Sequence, residues 1–589
     1  MKKYINIFLI CILFFTSCEK DILDREPLDI ISDAIVWSDP LLIDAYLTEI
    51  YAEMYVLTNG TRGNLEGNNS DDWFAPYDVC VASDECRATW WLDQWLLCFG
   101  NLNIHGGQLE WWEPSYRVIR KINIFIEKVP DSPLDNSIKA KRIAEARFLR
   151  AYSYFEMVRR YGGVPLITRP QTADEPEEEL FPERDSEQTI YDFVISEMDS
   201  IKDDLTEMND YGRPCKYAAL MLKSRAALYA GSIAQYGTIQ LDGLLGIEPS
   251  KAIDYYEIAY NSAKQILESG KYALYEEYED KVLNFRNLFL DEQNCEVIFV
   301  RPYEPTDKLK GGNGWAYDFM NCPKPNAWDG GNQMGPYVEM AEAFQHVDGS
   351  SGKLDREAIQ QGLWTMDSLW KDKEPRFFAS IYTQNTTWQG SLLNWQSGII
   401  KPDGTTQTSG SYEGISCRGE QKWWFTGFGV LKYLDENKNN MGERATTGTD
   451  WIIFRYAEVL LNFAEAAYEI GKTGDALDAV NQVRRRAGIA EYGSIDRDKI
   501  RHERRIELAF EGHRYWDLRR WRMAEEKLSG RFTSMKFFLH YETRKYQIKL
   551  DENADHLLIP RAFYSYHYYL PITLTRTGNN PNLIENPGY

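Results

Sequence analysis

The sequence predicts an all-α protein, a superhelical scaffold of four helix pairs that carries a loop-rich ligand-binding subdomain with little strand. One helical spacing of apolar residues recurs four times along the chain, and a long span rich in Gly, Asn, Trp and Pro interrupts the recurrence. The chain of 589 residues also exceeds the size that one core usually serves. Stacked helix pairs solve this problem because each pair buries its apolar face on the next.

Apolar side chains at offsets 0, 4, 7, 11 and 14 mark one face of four segments. This spacing is the period of an amphipathic helix, and each stripe covers about four turns. The stripes are Ile43, Leu47, Ile50, Met54 and Leu57; Ala144, Phe148, Ala151, Phe155 and Val158; Ala252, Tyr256, Ala259, Ala263 and Ile266; and Tyr456, Leu460, Phe463, Ala467 and Ile470.

Each stripe lies in a predicted helix pair with identifiable ends. Gly162 and Gly163 stop the second stripe, Gly471 stops the fourth, and Asp475 is expected to cap the helix that follows. Small alanines alternate with large rings, which lets paired helices approach closely and resembles tetratricopeptide-type packing. The predicted pairs are 33–57 with 112–129, 138–160 with 187–204, 215–231 with 251–269, and 453–470 with 475–487.

These patterns divide the chain into four parts. Residues 1–17 are a leader, 18–270 hold three helix pairs, 271–450 form the loop-rich region, and 451–589 hold the fourth pair. Loops of such length inside a compact protein are usually functional. Ligand binding is therefore expected to involve the loop-rich region.

The N-terminus has the features of a lipoprotein signal peptide. Lys2 and Lys3 precede an apolar run that is too short to span a bilayer, and Phe15, Thr16 and Ser17 lead to Cys18. Cleavage before Cys18 and acylation of its thiol are predicted, and several acyl chains would hold the protein durably on a membrane. No transmembrane helix is expected in the rest of the chain.

Charge and cysteine content exclude several classes of protein. The formal net charge is −23 and becomes −25 without the leader, which carries two lysines and no acid, so nucleic acid is not an expected partner. Of nine cysteines, one is lost with the leader and Cys18 is acylated. The seven that remain lack zinc-site spacing and are expected to be mostly buried thiols, with Cys80 and Cys86 the nearest candidates for a local bridge.

No motif indicates catalysis, and no catalytic residue, metal site or cofactor is predicted. The chain lacks HExxH, a phosphate-binding GxxxxGK[ST] loop and a GxSxG elbow. Glu503, Glu507 and Glu511 lie four residues apart among arginines, which is the spacing of ion-paired helix surfaces. A glycoside hydrolase with two unmarked carboxylates stays an open alternative.

Two stretches combine aromatic rings with amides and acids, the groups that stack on sugar faces and hydrogen-bond to sugar hydroxyls. The first aromatic stretch is residues 71–95 and the second is residues 315–329; Trp388 and Trp395 form a weaker third group. The candidate ligand-binding residues are Asp72, Trp73, Tyr77, Trp90, Trp91, Trp95, Trp315, Asn326, Trp328 and Asp329.

Several segments closely resemble the SusD/RagB family of outer-membrane nutrient-binding lipoproteins. After the leader, DILD at 21–24 with Pro27 is similar to the family's N-terminal signature. The other segments that carry the resemblance are EARFLRAY at 145–152, YGGVP at 161–165, RYAEVLL at 455–461, Asn481 with RRRAG at 484–488, ERR at 503–505, EGHRYWDLRRW at 511–521 and NPGY at 586–589.

The resemblance implies a tetratricopeptide-like scaffold and a role in nutrient capture. It implies an oligosaccharide or polysaccharide ligand, with RagB-like peptide capture as the alternative, and a SusC-like TonB-dependent transporter as partner. It also implies an outer-membrane location facing the cell exterior, with which the acidic residues Glu19 and Asp21 after Cys18 agree. In such proteins the 501–517 block is structural and ligand contacts come from loops that correspond to the two aromatic stretches.

Overall fold

The structure of the protein is a computed structural model. It describes residues 33–58, 77–88, 97–106, 109–208, 210–304, 315–323, 331–417, 426–437, 441, 446–555 and 559–589. The predicted leader and Cys18 lie outside these ranges.

Helices dominate the described residues, as the periodicity predicts. In chain order they are α1 Asp33–Ser38, α2 Pro40–Glu53, α3 Tyr77–Val81, α4 Glu113–Lys128, α5 Asn136–Tyr161, α6 Glu177–Leu180, α7 Glu187–Ile201, α8 Lys216–Tyr236, α9 Ala252–Glu268, α10 Lys281–Asn287, α11 Tyr317–Asn321, α12 Val338–Ala343, α13 Arg356–Gln361, α14 Met366–Leu369, α15 Pro375–Ser380, α16 Tyr456–Glu469, α17 Thr473–Ala487, α18 Arg497–Glu507, α19 Arg514–Arg520, α20 Ala524–Lys527 and α21 Leu574–Asn579.

All four predicted helix pairs are present. Helix α2 packs on α4, α5 on α7, α8 on α9, and α16 on α17. The first three stripes are fully buried, and the fourth is buried except at its ends, where Tyr456 and Ile470 are half-buried. The prediction of an all-α scaffold with tetratricopeptide-like pairs is confirmed.

Helix ends follow the predicted glycine stops, but one predicted cap is wrong. Gly162 and Gly471 have φ of 73° and 81°, the left-handed region in which glycine is favoured, and they follow α5 and α16. Helix α17 begins at Thr473, so Asp475 lies inside its first turn. The Asp475 carboxylate instead accepts a hydrogen bond of 2.7 Å from the Tyr260 hydroxyl of α9, which joins the third pair to the fourth.

Strands are short and bring distant parts of the chain together. They are β1 Cys86–Ala88, β2 Val297–Arg301, β3 Met334–Pro336, β4 Leu363–Trp364, β5 Ile381–Thr383, β6 Thr387–Trp388, β7 Ser391–Leu392, β8 Gly398–Ile400, β9 Thr406–Gln407, β10 Ser411–Tyr412, β11 Ile415–Ser416, β12 Phe428–Val430, β13 Trp451–Arg455, β14 Ser534–His540 and β15 Tyr546–Asp551.

The largest sheet has the order β4-β15-β14-β8-β9, and β14 and β8 run parallel. Strand β13 pairs antiparallel with β2. In both sheets, strands of the 271–450 region pair with strands that follow residue 450. The predicted boundary at 450 therefore separates strands that pair with each other. The β14–β15 hairpin has no counterpart among the sequence predictions.

The glutamates of the 501–517 block are buried rather than exposed on a helix surface. Glu507 is 0% exposed, and its carboxylate accepts from Arg376 of α15 at 2.9 Å, from Arg455 of β13 at 2.7 Å and from Arg486 of α17. Burial raises the pKa of Glu507, but the three guanidiniums outweigh it and hold the pKa well below its ordinary value. Ion pairs of this block therefore connect the loop-rich region to the last helix pair.

Cys80 and Cys86 are both free thiols, so the suggested Cys80–Cys86 bridge is absent. Six of the seven in the described ranges are buried, as expected, and Cys295 is exposed. Within the same ranges no helix has the length and apolarity needed to cross a bilayer.

Candidate ligand-binding site

Most of the predicted ligand-binding residues fall outside the described ranges. These are Asp72, Trp73, Trp90, Trp91, Trp95, Asn326, Trp328 and Asp329. Tyr77 begins helix α3, and Trp315 lies two residues before α11 begins at Tyr317. The described residues that flank the two aromatic stretches show where the stretches are attached to the fold.

One small sheet is formed by strands next to both aromatic stretches in the chain. Strand β1 pairs antiparallel with β3, with Ala88 opposite Met334 and Cys86 opposite Pro336. Because the strands are antiparallel, the chain leaves β1 at Ala88 beside the point where it enters β3 at Met334. In the sequence, Trp90 follows Ala88 by two residues and Trp328 precedes Met334 by six. Stretches more than 200 residues apart in sequence are thus attached at one place.

A buried acidic pair fixes the turn between α3 and β1. The Asp84 carboxylate accepts from Arg514 Nε at 2.8 Å and contacts Arg505 Nη2 at 3.1 Å. Burial raises its pKa, but Arg505 and Arg514 lower it well below the ordinary value. Glu85 accepts from the Phe510 backbone N–H at 3.2 Å, and burial beside Asp84 raises its pKa to about 7. This turn is held rigidly on the 501–517 block.

Arg561 fixes the same turn from the other side. Its guanidinium donates to the carbonyl oxygens of Ser83 at 2.6 Å and Val81 at 2.9 Å, and it pairs with Asp555 at 3.3 Å. The Asp555 carboxylate also accepts from the Tyr337 hydroxyl at 2.5 Å, directly after β3. Both strands of the small sheet are therefore anchored to the C-terminal part of the chain.

The start of the second aromatic stretch is part of the core. Trp315 is 1% exposed, its ring stacks on Tyr303 at 4.9 Å between centroids, and its indole N–H donates to the Thr449 carbonyl at 2.8 Å. Its backbone also exchanges two hydrogen bonds with Thr447. This geometry assigns Trp315 to the core instead of a position that faces ligand. Trp388 and Trp395 are likewise buried, at 3% and 4% exposure.

Two buried amides beside the second stretch were not predicted as site residues. Asn321 ends α11 and Gln333 precedes β3, so they flank residues 324–330 in the chain. Each is 1% exposed, and Asn321 Oδ1 and Nδ2 and Gln333 Nε2 make no hydrogen bond. Buried amides without partners are costly, so a water or a ligand hydroxyl is a suitable partner. Their only sequence signal is their place at the ends of the aromatic stretch.

Two of the acids near the small sheet form ion pairs. Asp84 pairs with Arg514, and Asp555 pairs with Arg561. Within the described ranges no group of three or more His, Cys, Asp or Glu side chains is placed to hold a metal ion. What the described residues provide is an anchored two-stranded sheet next to both aromatic stretches in the chain.

The chain matches two models of known families. Residues 295–589 match the model described as the SusD family, and residues 23–228 match the model described as starch-binding associating with outer membrane. Each matched range includes motif segments that resemble the SusD/RagB family.

Individual relatives extend over most of the chain. A SusD-like protein of Bacteroides ovatus is 24% identical over 548 residues, covering 91% of this chain and 85% of its own. The starch-binding protein SusD of Bacteroides thetaiotaomicron is 23% identical over 498 residues, covering 80% and 76%.

A crystal structure of a SusD-like protein from Bacteroides fragilis superposes with a TM-score of 0.72 at 26% identity, covering 96% of this chain and 100% of that one. The motifs, the four helix pairs and these matches agree, and the chain belongs to the SusD/RagB family.

Proposed function

We propose that this protein is a cell-surface lipoprotein that binds oligosaccharide or polysaccharide and delivers it to a SusC-like TonB-dependent transporter in the outer membrane. Acylation at Cys18 would anchor it, and the two aromatic stretches would contact the glycan. The proposed contacts are Asp72, Trp73, Tyr77, Trp90, Trp91, Trp95, Asn326, Trp328 and Asp329, and Trp315 is a core residue at the start of the second stretch.

The pairing of β1 with β3 carries this proposal. It attaches both aromatic stretches to the same anchored sheet, so rings and polar groups from both can act on one ligand. The names of the relatives support a carbohydrate, since the B. thetaiotaomicron protein is called starch-binding and so is the family model that matches residues 23–228.

Binding without catalysis fits the observed charges better than hydrolysis does. A glycoside hydrolase needs one carboxylic acid that is protonated and a second carboxylate about 5 to 10 Å away. Glu85 has the raised pKa of such an acid, but it is 0% exposed and bonded to the Phe510 N–H. Incubation with polysaccharide should therefore release no reducing ends, and release by the wild-type protein would favour the hydrolase.

Affinity is expected to be modest. An aromatic contact contributes about 0.5–1.5 kcal/mol beyond the area that it buries, and a surface site offers a few of them. Dissociation constants from micromolar to millimolar follow, with tighter binding when a transporter closes over the ligand.

Calorimetric titration against a panel of glycans and a panel of peptides tests the ligand class. Saturable heat from at least one glycan and none from peptides is the expected result. Peptide binding with no response to any glycan would instead support RagB-like capture, which is the second candidate function.

Anchoring and delivery need a separate experiment in the native cell. A Cys18→Ser variant should be lost from the outer-membrane fraction, while Cys295→Ser, which changes the exposed free thiol, should stay in it. Wild-type protein should co-purify with a large β-barrel protein. A Cys18→Ser protein that stays membrane-bound would contradict the anchor, and purification without a barrel would favour a scaffold that binds other proteins.

A further inference from the structure

The segment of residues 559–564 is bonded to the chain on both sides of three tryptophans of the first aromatic stretch. In the sequence these tryptophans lie between strand β1 and the next described part of the chain. On the β1 side, Arg561 donates to the Ser83 carbonyl at 2.6 Å. After the tryptophans, the Ala562 N–H donates to the Cys98 carbonyl at 3.0 Å. One segment therefore connects the two points at which this part of the stretch joins the described fold.

Tyr564, the last residue of this segment, packs beside the second of these points. A Cβ atom at Gly100 would lie 2.6 Å from the Tyr564 ring, so the glycine lets the ring approach the backbone closely. Gly100 also has φ of 71°, which favours glycine. In the sequence, Gly100 follows Trp95 by five residues. The Tyr564 ring thus contacts the chain that leaves the first aromatic stretch.

The ring of Tyr564 is held in place by its neighbours although half of the residue is exposed. It stacks on the Tyr566 ring, with 5.8 Å between centroids and 13° between planes, and Tyr566 contacts the Tyr589 ring edge-on at 5.2 Å. The Tyr564 backbone N–H donates to His567 Nδ1 at 3.1 Å. Burial lowers the pKa of His567 to about 4, so this acceptor stays unprotonated at neutral pH. A ring that is ordered before binding loses little conformational entropy when a ligand packs on it.

Tyr564 is the most exposed Phe, Tyr or Trp among the described residues, at 50%. The others that are exposed are Tyr211, at 38%, and Phe378, at 40%. The Tyr211 hydroxyl donates to Asp450, and the Phe378 side chain has no polar atom. Tyr564 therefore combines the largest exposed fraction with a contact to the chain that leaves the first aromatic stretch.

We propose that Tyr564 is a sugar-stacking residue that extends the glycan site from the first aromatic stretch onto the 559–564 segment. This inference rests on the proposed glycan-binding function. A pyranose ring would pack on the exposed part of the tyrosine ring. Asn101, which follows Gly100 and is exposed, would offer its amide to the sugar hydroxyls. Because stacking uses the ring and not the phenol oxygen, phenylalanine should replace this tyrosine without loss.

Calorimetric titration with a glycan that the wild-type protein binds tests the inference. Tyr564→Ala should weaken binding by about 2- to 13-fold, and Tyr564→Phe should bind as wild type does. The control is Tyr468→Ala, which removes a half-buried tyrosine from α16 and should leave the affinity unchanged. Thermal unfolding of each variant checks that the titrated protein is folded.

The possible failures are distinguishable. Wild-type affinity in Tyr564→Ala would overturn the inference and leave the proposed function intact, since the wild-type protein still binds glycan. A wild-type protein that binds no glycan of the panel would contradict the proposed function and this inference together.

A second measurement separates contact with glycan from contact with the transporter. Other exposed apolar residues of the C-terminal part are Ile559, Leu574 and Ile584, which suit a protein partner as well. Tyr564→Ala should co-purify with as much β-barrel protein as Tyr468→Ala does. Reduced recovery of the barrel at wild-type glycan affinity would assign Tyr564 to the transporter and overturn the inference.

Discussion

The helical scaffold and the platform of the ligand site use buried polar groups for different purposes. In the scaffold, Glu507 neutralises arginines from three separate elements and fixes how the last helix pair meets the loop-rich region. At the platform, Asp84 and Arg561 fix a turn and a two-stranded sheet that carry loops. Changes in the scaffold should therefore alter stability, and changes in the aromatic loops should alter ligand affinity alone.

The largest expected effect is a loss of unfolding free energy when the buried charge of Glu507 is removed. Glu507→Gln would leave Arg376, Arg455 and Arg486 partly unpaired in the core, and removal of one partner from a buried ion pair costs about 3–5 kcal/mol. Urea unfolding should show this loss. Glu491→Gln, which breaks the exposed pair with Arg485, should leave the unfolding free energy nearly unchanged. Equal losses for both variants would remove the distinction between buried and exposed pairs.

A Trp315→Ala variant tests whether this side chain supports the fold or contacts the ligand. Trp315→Ala opens a cavity beside Tyr303 and Trp451 and should cost about 3–5 kcal/mol of unfolding free energy. The folded fraction should bind glycan with little change in affinity, as measured by titration corrected for active protein. Lost affinity at full stability would instead place this ring against the ligand.

Glu85 gives the platform a pH dependence of defined sign. Its pKa is raised by burial to about 7, so the folded state holds a proton that the unfolded state releases near pH 4.5. Its contribution to stability is full below about pH 4.5 and is lost as pH rises toward 7, a change of up to about 3 kcal/mol.

Glu85→Gln should abolish this component, so the variant gains stability relative to wild type as pH rises from 4.5 to 8. Urea unfolding at both pH values measures it. An exposed-site variant, Glu491→Gln, should retain the wild-type trend. If Glu85→Gln followed wild type at every pH, Glu85 would not titrate in this range.

Substitutions in the two aromatic stretches should cause the smallest changes in free energy. Trp90→Ala and Trp328→Ala should each weaken glycan binding by about 0.5–1.5 kcal/mol, or roughly 2- to 13-fold, and leave the unfolding free energy nearly unchanged. Calorimetry with the best glycan of the panel measures the first quantity. Trp364→Ala changes a half-buried tryptophan on edge strand β4, outside both stretches, and should bind as wild type does. Equal weakening by Trp364→Ala would place the site elsewhere.

The sequence by itself determined the helical scaffold. The four stripes and the glycines at 162 and 471 define helix pairs through local periodicity and backbone preference, and these are properties of contiguous residues. The short strands carried no such signal, because two or three residues are too few to show alternation. The β14–β15 hairpin was missed although it is longer, since its place is set by pairing with β8 and β4 more than 100 residues away.

Only the tertiary structure decided what the polar and aromatic residues do. The spacing of Glu503, Glu507 and Glu511 is the same for an exposed face and for a buried one, and burial is decided by Arg376, Arg455 and Arg486 from other elements. Trp315 has the composition of a binding residue, yet its neighbours in space enclose it. Local pattern fixes where a helix forms, whereas exposure and charge pairing depend on contacts between residues far apart in the chain.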